Sequence, residues 1–198
     1  MPRAGLDRAA VTAAGAALVD EVGFSRLSMG LLAERLGVKT PSLYKHVAGQ
    51  AELAHGIAVL STTELADTIR DATQGRSGRE ALDAGGQAMR AWVLAHPGRY
   101  AAGNVAAVRG PDDPFIPAVQ RVLASWAAML HGYHLDPDQE IHALRMLRSM
   151  LHGFATLEAA GSFQIAADVE VSFTWMLDFI DNGLRVHQAE AAQLPGGR

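Results

Sequence analysis

The 198-residue chain contains no cysteine. Disulfides and thiolate zinc sites are therefore excluded, and a reducing compartment, the cytoplasm, is the expected location. No apolar run reaches the roughly 20 residues that a membrane-spanning helix needs. Residues 1–20 also lack the continuous apolar core of a signal peptide. These absences predict a cytoplasmic protein with no membrane partner.

Three sequence patterns that carry chemistry are missing. The chain has no Gly-x-Ser-x-Gly nucleophile motif, no Gly-x-x-x-x-Gly-Lys phosphate loop and no His-Glu-x-x-His zinc motif. His131 and His134 could share a helix face, but the nearest carboxylates, Asp136 and Asp138, follow a predicted helix end. We therefore predict no catalytic residues, no metal site and no cofactor.

Strand patterns are absent as well, because Val and Ile never alternate with polar residues at period two over a useful length. The apolar spacing is helical throughout, and clusters of turn-forming residues divide residues 50–185 into about six helices. Together with three helices before residue 48, this predicts an all-α chain of about nine helices. The breaks fall at residues 74–78, 96–98, 110–114, 136–138 and 161–162.

Lysine is scarce, and its two occurrences, Lys39 and Lys45, lie in one stretch over residues 38–47. Thr, Ser and Tyr hydroxyls and a histidine accompany them, a composition suited to phosphate. Residues 1–50 carry six Lys/Arg and four Asp/Glu, a net charge of +2, whereas residues 51–198 carry eleven and seventeen, a net charge of −6. This asymmetry favours an anionic partner for the N-terminal part.

Residues 28–36 have the pattern of a short amphipathic helix. Ser28 is a favoured N-cap, and the apolar residues after it recur at the spacing of one helix face. Gly37 stands where a left-handed C-cap residue is needed. Thr40 can cap the next helix, and Pro41 suits its first turn. Two short helices joined by a glycine turn form a helix-turn-helix.

The second of these helices is predicted over Lys39 to His46. Leu43 and Val47, four residues apart, face its core and leave the polar residues outside. Leu6 to Val22 supplies a first helix from an Ala-rich background. Because such a three-helix core is small, we expect the module to depend on the rest of the chain for stability.

These segments resemble the DNA-binding domain of the TetR family of bacterial repressors. The resemblance lies in residues 23–29, 32–38 and 41–47, and Leu43, Tyr44 and His46 are its most specific part. It implies that the second helix enters the major groove, with Lys39, Thr40 and Ser42 near base edges and phosphate contacts elsewhere. The DNA-binding residues that it implies are Ser28, Lys39, Thr40, Pro41, Ser42, Tyr44, Lys45 and His46.

Residues 147–158, 161–163 and 171–173 resemble a TetR-type C-terminal domain, which dimerises through its last two helices. Two apolar stripes in this region supply the predicted dimer interface. Because core and homodimer faces share the same composition, both stripes also fit an intramolecular core. The stripes are Leu147, Leu151 and Phe154, and Phe173, Leu177, Ile180 and Leu184.

A regulatory domain of this kind holds an effector in a mostly apolar pocket between helices. Aromatic and methionine residues are the available lining, although the same residue types at helical spacing also fit a plain core. The residues predicted to line the pocket are Trp92, Trp126, Met129, Met150, Phe154 and Trp175.

The sequence therefore predicts a helix-turn-helix domain over residues 1–48, a helical effector-binding and dimerisation domain over residues 49–187, and a flexible tail over residues 188–198. The expected function is a ligand-responsive repressor that binds a palindromic double-stranded DNA operator as a homodimer. The alternative is a helical ligand carrier or oligomerisation module in which the three N-terminal helices only pack.

Overall fold

The computed structural model describes residues 6–193, with side chains described for residues 6–187. Nine α-helices and two short 3-10 turns account for most of this range, which contains no strand. The all-α prediction is confirmed, and so are the six helices expected after residue 50. The helices are α1 (Arg8–Val22), α2 (Met29–Leu36), α3 (Thr40–Leu43), α4 (Gln50–Thr73), α5 (Gly78–Ala95), α6 (Pro97–Val105), α7 (Phe115–Leu130), α8 (Pro137–Ala159) and α9 (Val169–Gln193).

Local sequence signals explain several helix ends. The Asp7 carboxylate accepts a hydrogen bond from the Ala10 N–H at 2.7 Å and caps α1. Asp136 caps α8 in a reciprocal arrangement with Gln139, and Pro137 occupies the first turn, where its missing N–H costs no hydrogen bond. None of the helices within the described range is long and apolar enough to cross a membrane.

The last helix is longer than the sequence predicted. Residues 188–193, the first part of the predicted tail, continue α9, because this Ala-rich segment also contains Gln and Glu, which favour helix. Residues 194–198 lie outside the described part of the chain.

The chain forms two compact units, and the dividing points fall within α4 and α7 and near the end of α5. Unit 1 comprises Met1–Glu64 and Ala95–Gln120, and unit 2 comprises Leu65–Leu94 and Arg121–Arg198. The predicted boundary at residue 48 marks the end of the DNA-binding domain, which is only a part of unit 1. That boundary stays a prediction.

Unit 1 has a core that the three N-terminal helices share with later segments. Val19, Leu32 and Leu43 are fully buried in it together with Leu53 of α4 and Ala102 of α6. Burying a leucine side chain contributes about 1.5 to 3 kcal/mol. The module therefore draws part of its core from helices beyond residue 48, as its small size predicted.

The start of α6 lies directly against the end of α1 in unit 1. A Cβ atom on Gly98 would lie 1.9 Å from the Val19 carbonyl oxygen, so only glycine allows this approach. Asp20 fixes the same contact: its carboxylate accepts from the Arg99 N–H at 2.9 Å and pairs with the Arg99 guanidinium at 2.8 Å. Arg99 also pairs with Glu64 of α4 at 3.0 Å.

Unit 2 packs α5 against α8 and α9. A Cβ on Gly86 would come within 3.1 Å of Leu177 and 3.5 Å of Leu151, which shows how closely these helices approach. The Arg90 guanidinium of α5 is almost buried, and it binds Glu158 of α8 and Glu170 of α9. These ion pairs hold three helices together at one point.

Candidate DNA-binding surface

The turn between α2 and α3 follows from a few residues. The Ser28 hydroxyl oxygen accepts from the Leu31 N–H at 3.2 Å and caps α2. Gly37 ends α2 in the left-handed conformation, at φ 64° and ψ 32°, which glycine adopts without a Cβ penalty. The Val38 N–H then closes the turn on the Ala33 carbonyl at 3.0 Å. Both the predicted cap and the predicted turn are confirmed.

The helix after the turn is shorter than predicted. It spans Thr40–Leu43 rather than Lys39 to His46. The His46 N–H bonds to the Leu43 carbonyl, three residues back, at 2.9 Å, so the backbone tightens there, and the Val47 N–H shares the same carbonyl at 3.1 Å.

The cap of α3 also differs from the prediction. Lys39, and not Thr40, is the N-cap residue, and it makes no side-chain cap bond. Thr40 is the first helical residue and Pro41 the second, so the Thr40 hydroxyl is not committed to capping. The missing N–H of Pro41 leaves no partner unsatisfied in the first turn.

Two buried residues aim the remaining side chains outward. Leu43 and Val47 are 0% and 2% exposed. Tyr44 between them is 54% exposed, an unusual position for a large aromatic with a polar tip. Lys39, Pro41 and Lys45 are exposed, and Thr40, Ser42, His46 and Ser28 are partly exposed. All eight predicted contact residues are therefore accessible.

The charges of this surface are distributed unevenly. Arg35 binds both oxygens of Glu21 at 2.5 and 2.8 Å, and Arg8 pairs with Glu52 at 2.8 Å. The hydrogen bond from Arg35 lowers the pKa of Glu21. Neither Lys39 nor Lys45 forms an ion pair with any residue that the structure describes. The two lysines thus keep their charge available for an external anion.

Two protein-family models match the chain. One, described as bacterial regulatory proteins of the tetR family, matches residues 11–57, and the other, the tetracyclin repressor-like C-terminal domain, matches residues 82–180. The HTH-type transcriptional regulator Rv0681 of Mycobacterium tuberculosis is 30% identical to the chain over 87% of its length and 78% of the relative. The chain belongs to the TetR family.

Other proteins are similar to the chain over most of its length. The HTH-type regulator YobS of Bacillus subtilis is 28% identical over 94% of the chain and 96% of the relative. A Rhodococcus sp. RHA1 protein of unknown function shares the fold with a TM-score of 0.77, at 20% identity over 93% of the chain and 99% of that structure. A TetR variant of Acinetobacter baumannii AYE, solved in complex with minocycline, has a TM-score of 0.69 at 23% identity, over 93% of the chain and 99% of that structure.

The structure changes the interpretation of the predicted TetR-type dimer interface. Six of its seven side chains are buried inside unit 2 of a single chain, and the seventh, Phe154, is partly buried. A side chain already enclosed by its own chain offers no area to a second copy. The burial therefore favours the alternative, an intramolecular core, for Leu147, Leu151, Phe173, Leu177, Ile180 and Leu184.

Sequence reasoning missed a second apolar stripe on α9. Its members, Val171, Trp175, Phe179 and Val186, are each more than half exposed. The rings of Trp175 and Phe179 stack with centroids 5.9 Å apart. The four-residue spacing of the first three members was the available signal, but the buried stripe on the same helix carries an equally good one.

The predicted pocket residues have different environments. Trp92, Trp126 and Met129 are buried, Met150 and Phe154 are partly buried, and Trp175 is on the surface. The Trp126 indole N–H is enclosed and has no hydrogen-bond partner among the described residues. An enclosed donor without an acceptor is costly, and Trp126 is the member of this set whose buried polar group lacks a partner among the described residues.

A second polar cluster fastens the loop between α6 and α7 to α4 within unit 1. The His55 imidazole lies 2.7 Å from the Asp113 carboxylate, which also accepts from the Arg109 N–H at 2.6 Å and the Phe115 N–H at 2.9 Å. Burial alone would raise the pKa of Asp113, but the hydrogen bonds from Phe115, Arg109 and His55 lower it to about 2.

We expect this cluster to contribute stability that acid removes. The folded pKa of about 2 lies below the ordinary value near 3.9, so the contribution is present above pH ~4 and disappears as the pH falls toward ~2. Thermal unfolding of wild type and Asp113→Asn should therefore differ at pH ~6 and converge toward pH ~2. Asp112→Asn, one residue away, is the control. A difference that stays constant with pH would contradict the assignment.

Proposed function

We propose that this TetR-family regulator is a ligand-responsive repressor that binds a palindromic operator as a homodimer. The observation that carries the DNA-binding part is the exposed set around α3. Leu43 and Val47 anchor the segment in the core, while Tyr44 and two lysines without an ion-pair partner among the described residues face outward. A helix that only packs against its neighbours does not need an exposed tyrosine and two exposed lysines side by side.

The exposed positions support two kinds of DNA contact. Lys39, Thr40 and Ser42 come first along the segment, and we assign them to base edges in the major groove. Tyr44, Lys45 and His46 follow in the turn, and we assign them to phosphates, which fix position without reading sequence. The Ser28 oxygen is engaged as a cap, but its hydroxyl proton can still be donated to a phosphate.

The dimer part rests on the exposed stripe of α9. Large apolar side chains that recur at helical spacing form one continuous face, and such patches mark interaction surfaces when they are extensive. We propose that Val171, Trp175, Phe179 and Val186 pack against the same stripe of a second copy, because a twofold contact is self-complementary. Two copies would present α3 to successive major-groove faces about 34 to 36 Å apart.

The proposed response to a ligand is based on the contacts that α6 makes with α1 and α4 within unit 1. Gly98 and Arg99 seat α6 on α1, and a Cβ placed on Gly103 of the same helix would lie 3.0 Å from the Thr62 hydroxyl of α4. An effector that prefers one position of α6 would therefore shift α1. The minocycline complex of the A. baumannii relative supports a small-molecule effector.

Rv0681 and YobS are named as HTH-type transcriptional regulators, so we infer that the chain acts by binding and has no enzymatic activity of its own. Fluorescence anisotropy against a labelled DNA fragment that flanks its gene tests this, with random DNA as competitor at near-physiological salt. Binding that resists the competitor is the expected result. Equal, salt-sensitive binding to both DNAs would favour the helical carrier or oligomerisation module instead.

Lys45→Ala tests the phosphate assignment directly. We expect weaker binding to all sequences, and a plot of log affinity against log salt whose slope falls in magnitude by about 0.9 for each phosphate that is no longer neutralised. Arg76→Ala removes the same charge from an exposed turn of unit 2 and should leave the slope unchanged. If both variants gave the wild-type slope, Lys45 would not contact phosphate.

A further inference from the structure

The segment that connects α8 to α9 lines an open surface cavity of about 270 Å³, and six of its seven lining residues are exposed. This volume is slightly below the range of about 300 to 1,000 Å³ for drug-sized ligands, so the cavity suits a small molecule with about one ring. Its walls combine apolar groups with three neutral polar side chains. The lining residues are Ser162, Phe163, Gln164, Ile165, Ala167, Val169 and Ser172.

One wall of this cavity belongs to an aromatic cluster that already holds a cation. The Phe163 ring lies 4.8 Å from the Phe154 ring, which lies 5.0 Å from Phe173. On this cluster rests the guanidinium of Arg90, 4.7 Å from the Phe173 centroid and 5.8 Å from that of Phe154. The faces of phenyl rings attract cations through their quadrupole, and Phe163 is the member of the cluster that reaches the cavity.

The charges around the cavity are strongly biased. Residues 149–184 contain five carboxylates and neither lysine nor arginine. Three arginines from other parts of the chain neutralise four of these carboxylates: Arg79 binds Asp178, Arg90 binds Glu158 and Glu170, and Arg185 binds Asp181.

The fifth carboxylate, Asp168, has no cationic partner within the described range. It accepts the Glu170 N–H at 2.8 Å at the start of α9. In the chain it stands between Ala167 and Val169, two residues of the cavity wall. A carboxylate without a cationic partner in the described range therefore lies next in the chain to two residues of a cavity with an aromatic wall.

We propose that this cavity binds a small organic cation, a quaternary ammonium or guanidinium group on an apolar body. The cation would lie against the Phe163 ring and beside Asp168, while its apolar body fills the space lined by Ile165 and Val169. The proposal rests on the ligand response given under the proposed function and names the chemical class of the effector. Charge complementarity selects the cation over a neutral molecule of the same shape.

The test uses the full chain and two probes of equal shape, benzyltrimethylammonium and its neutral isostere neopentylbenzene, with binding followed by NMR titration. A cation–π contact is worth about 0.5 to 2 kcal/mol, which corresponds to a preference of about 2- to 30-fold for the cation. Equal affinity for both probes would overturn the proposal. Failure of both probes to bind would overturn it too.

Substitutions at the cavity locate the contacts. Asp168→Asn keeps a good helix cap but removes the charge, and it should weaken the cation severalfold without changing the neutral probe. Asp138→Asn removes the same charge from the first turn of α8 and should change neither. Phe163→Leu should reduce the cation preference while keeping the apolar wall. A cation affinity that is the same in wild type, Asp168→Asn and Phe163→Leu would overturn the site.

Because the titration contains no DNA, it separates this site from the regulatory role. Binding of the cation with release of a labelled operator would support both. Binding without release would support the cavity and overturn its use as the effector site.

Discussion

Trp175→Glu is expected to convert a dimer into a monomer with much weaker operator binding. Trp175 is 68% exposed on α9 and stacks on Phe179. A buried tryptophan at the centre of an interface is typically worth about 2 kcal/mol or more, and a glutamate there would bury an unpaired charge. Loss of the second DNA-binding module should then reduce operator affinity by about 10²- to 10⁴-fold, the usual gain from two linked binding modules.

Light scattering at micromolar concentration measures the mass, which should fall from twice 21.0 kDa to 21.0 kDa. Val105→Glu is the matched control, since Val105 is also 68% exposed but lies at the end of α6. That variant should keep the wild-type mass. A Trp175→Glu protein that remained dimeric would move the interface away from α9, and a monomeric wild type would remove the dimer from the proposal altogether.

Gly98→Ala is expected to destabilise the protein by about 3 kcal/mol, at the upper end of the cost of overpacking. The added Cβ would lie 1.9 Å from the Val19 oxygen and 2.7 Å from the Asp20 nitrogen. Both are backbone atoms, so no side-chain rotation relieves the clash. Either α6 moves away from α1, which strains the Asp20–Arg99 contacts, or the end of α1 distorts.

Urea denaturation of the two variants Gly98→Ala and Gly30→Ala measures this effect against a control. Gly30 is likewise the second residue of its helix, α2, but a Cβ there would have only the Ser28 oxygen nearby, at 3.9 Å. Gly30→Ala should therefore be neutral or stabilising by up to about 1 kcal/mol. Equal stability of both variants would mean that α6 is not seated this closely on α1.

Most signals of short range were read correctly from the sequence, the Thr40 cap of α3 being an exception. Ser28 caps α2, Gly37 turns the chain, and Leu43 and Val47 are buried, because each depends on neighbours within a few residues. The end of α3 could not be read in this way. It depends on how the Leu43 carbonyl is shared by two N–H groups, and helix ends are decided by such small differences in backbone geometry.

The two apolar stripes on α9 show a second limit of prediction from sequence. One stripe contains Phe173 and Leu177 and the other contains Trp175 and Phe179, and both have the spacing of a helix face. Nothing in the residues themselves says which one meets α5 and α8. Only the packing of α9 on Gly86 and Leu151 selects the first for the core and leaves the second exposed.

The sequence by itself determined the all-helical fold, the helix-turn-helix and the membership of the TetR family, because apolar period, caps and turn residues act locally. The tertiary structure decided which apolar faces are free, where α6 touches α1, and that Asp168, among five clustered carboxylates, is the one without a cation in the described part of the chain. Such contacts join residues far apart in the chain, and their energies depend on burial and distance, which no local pattern specifies.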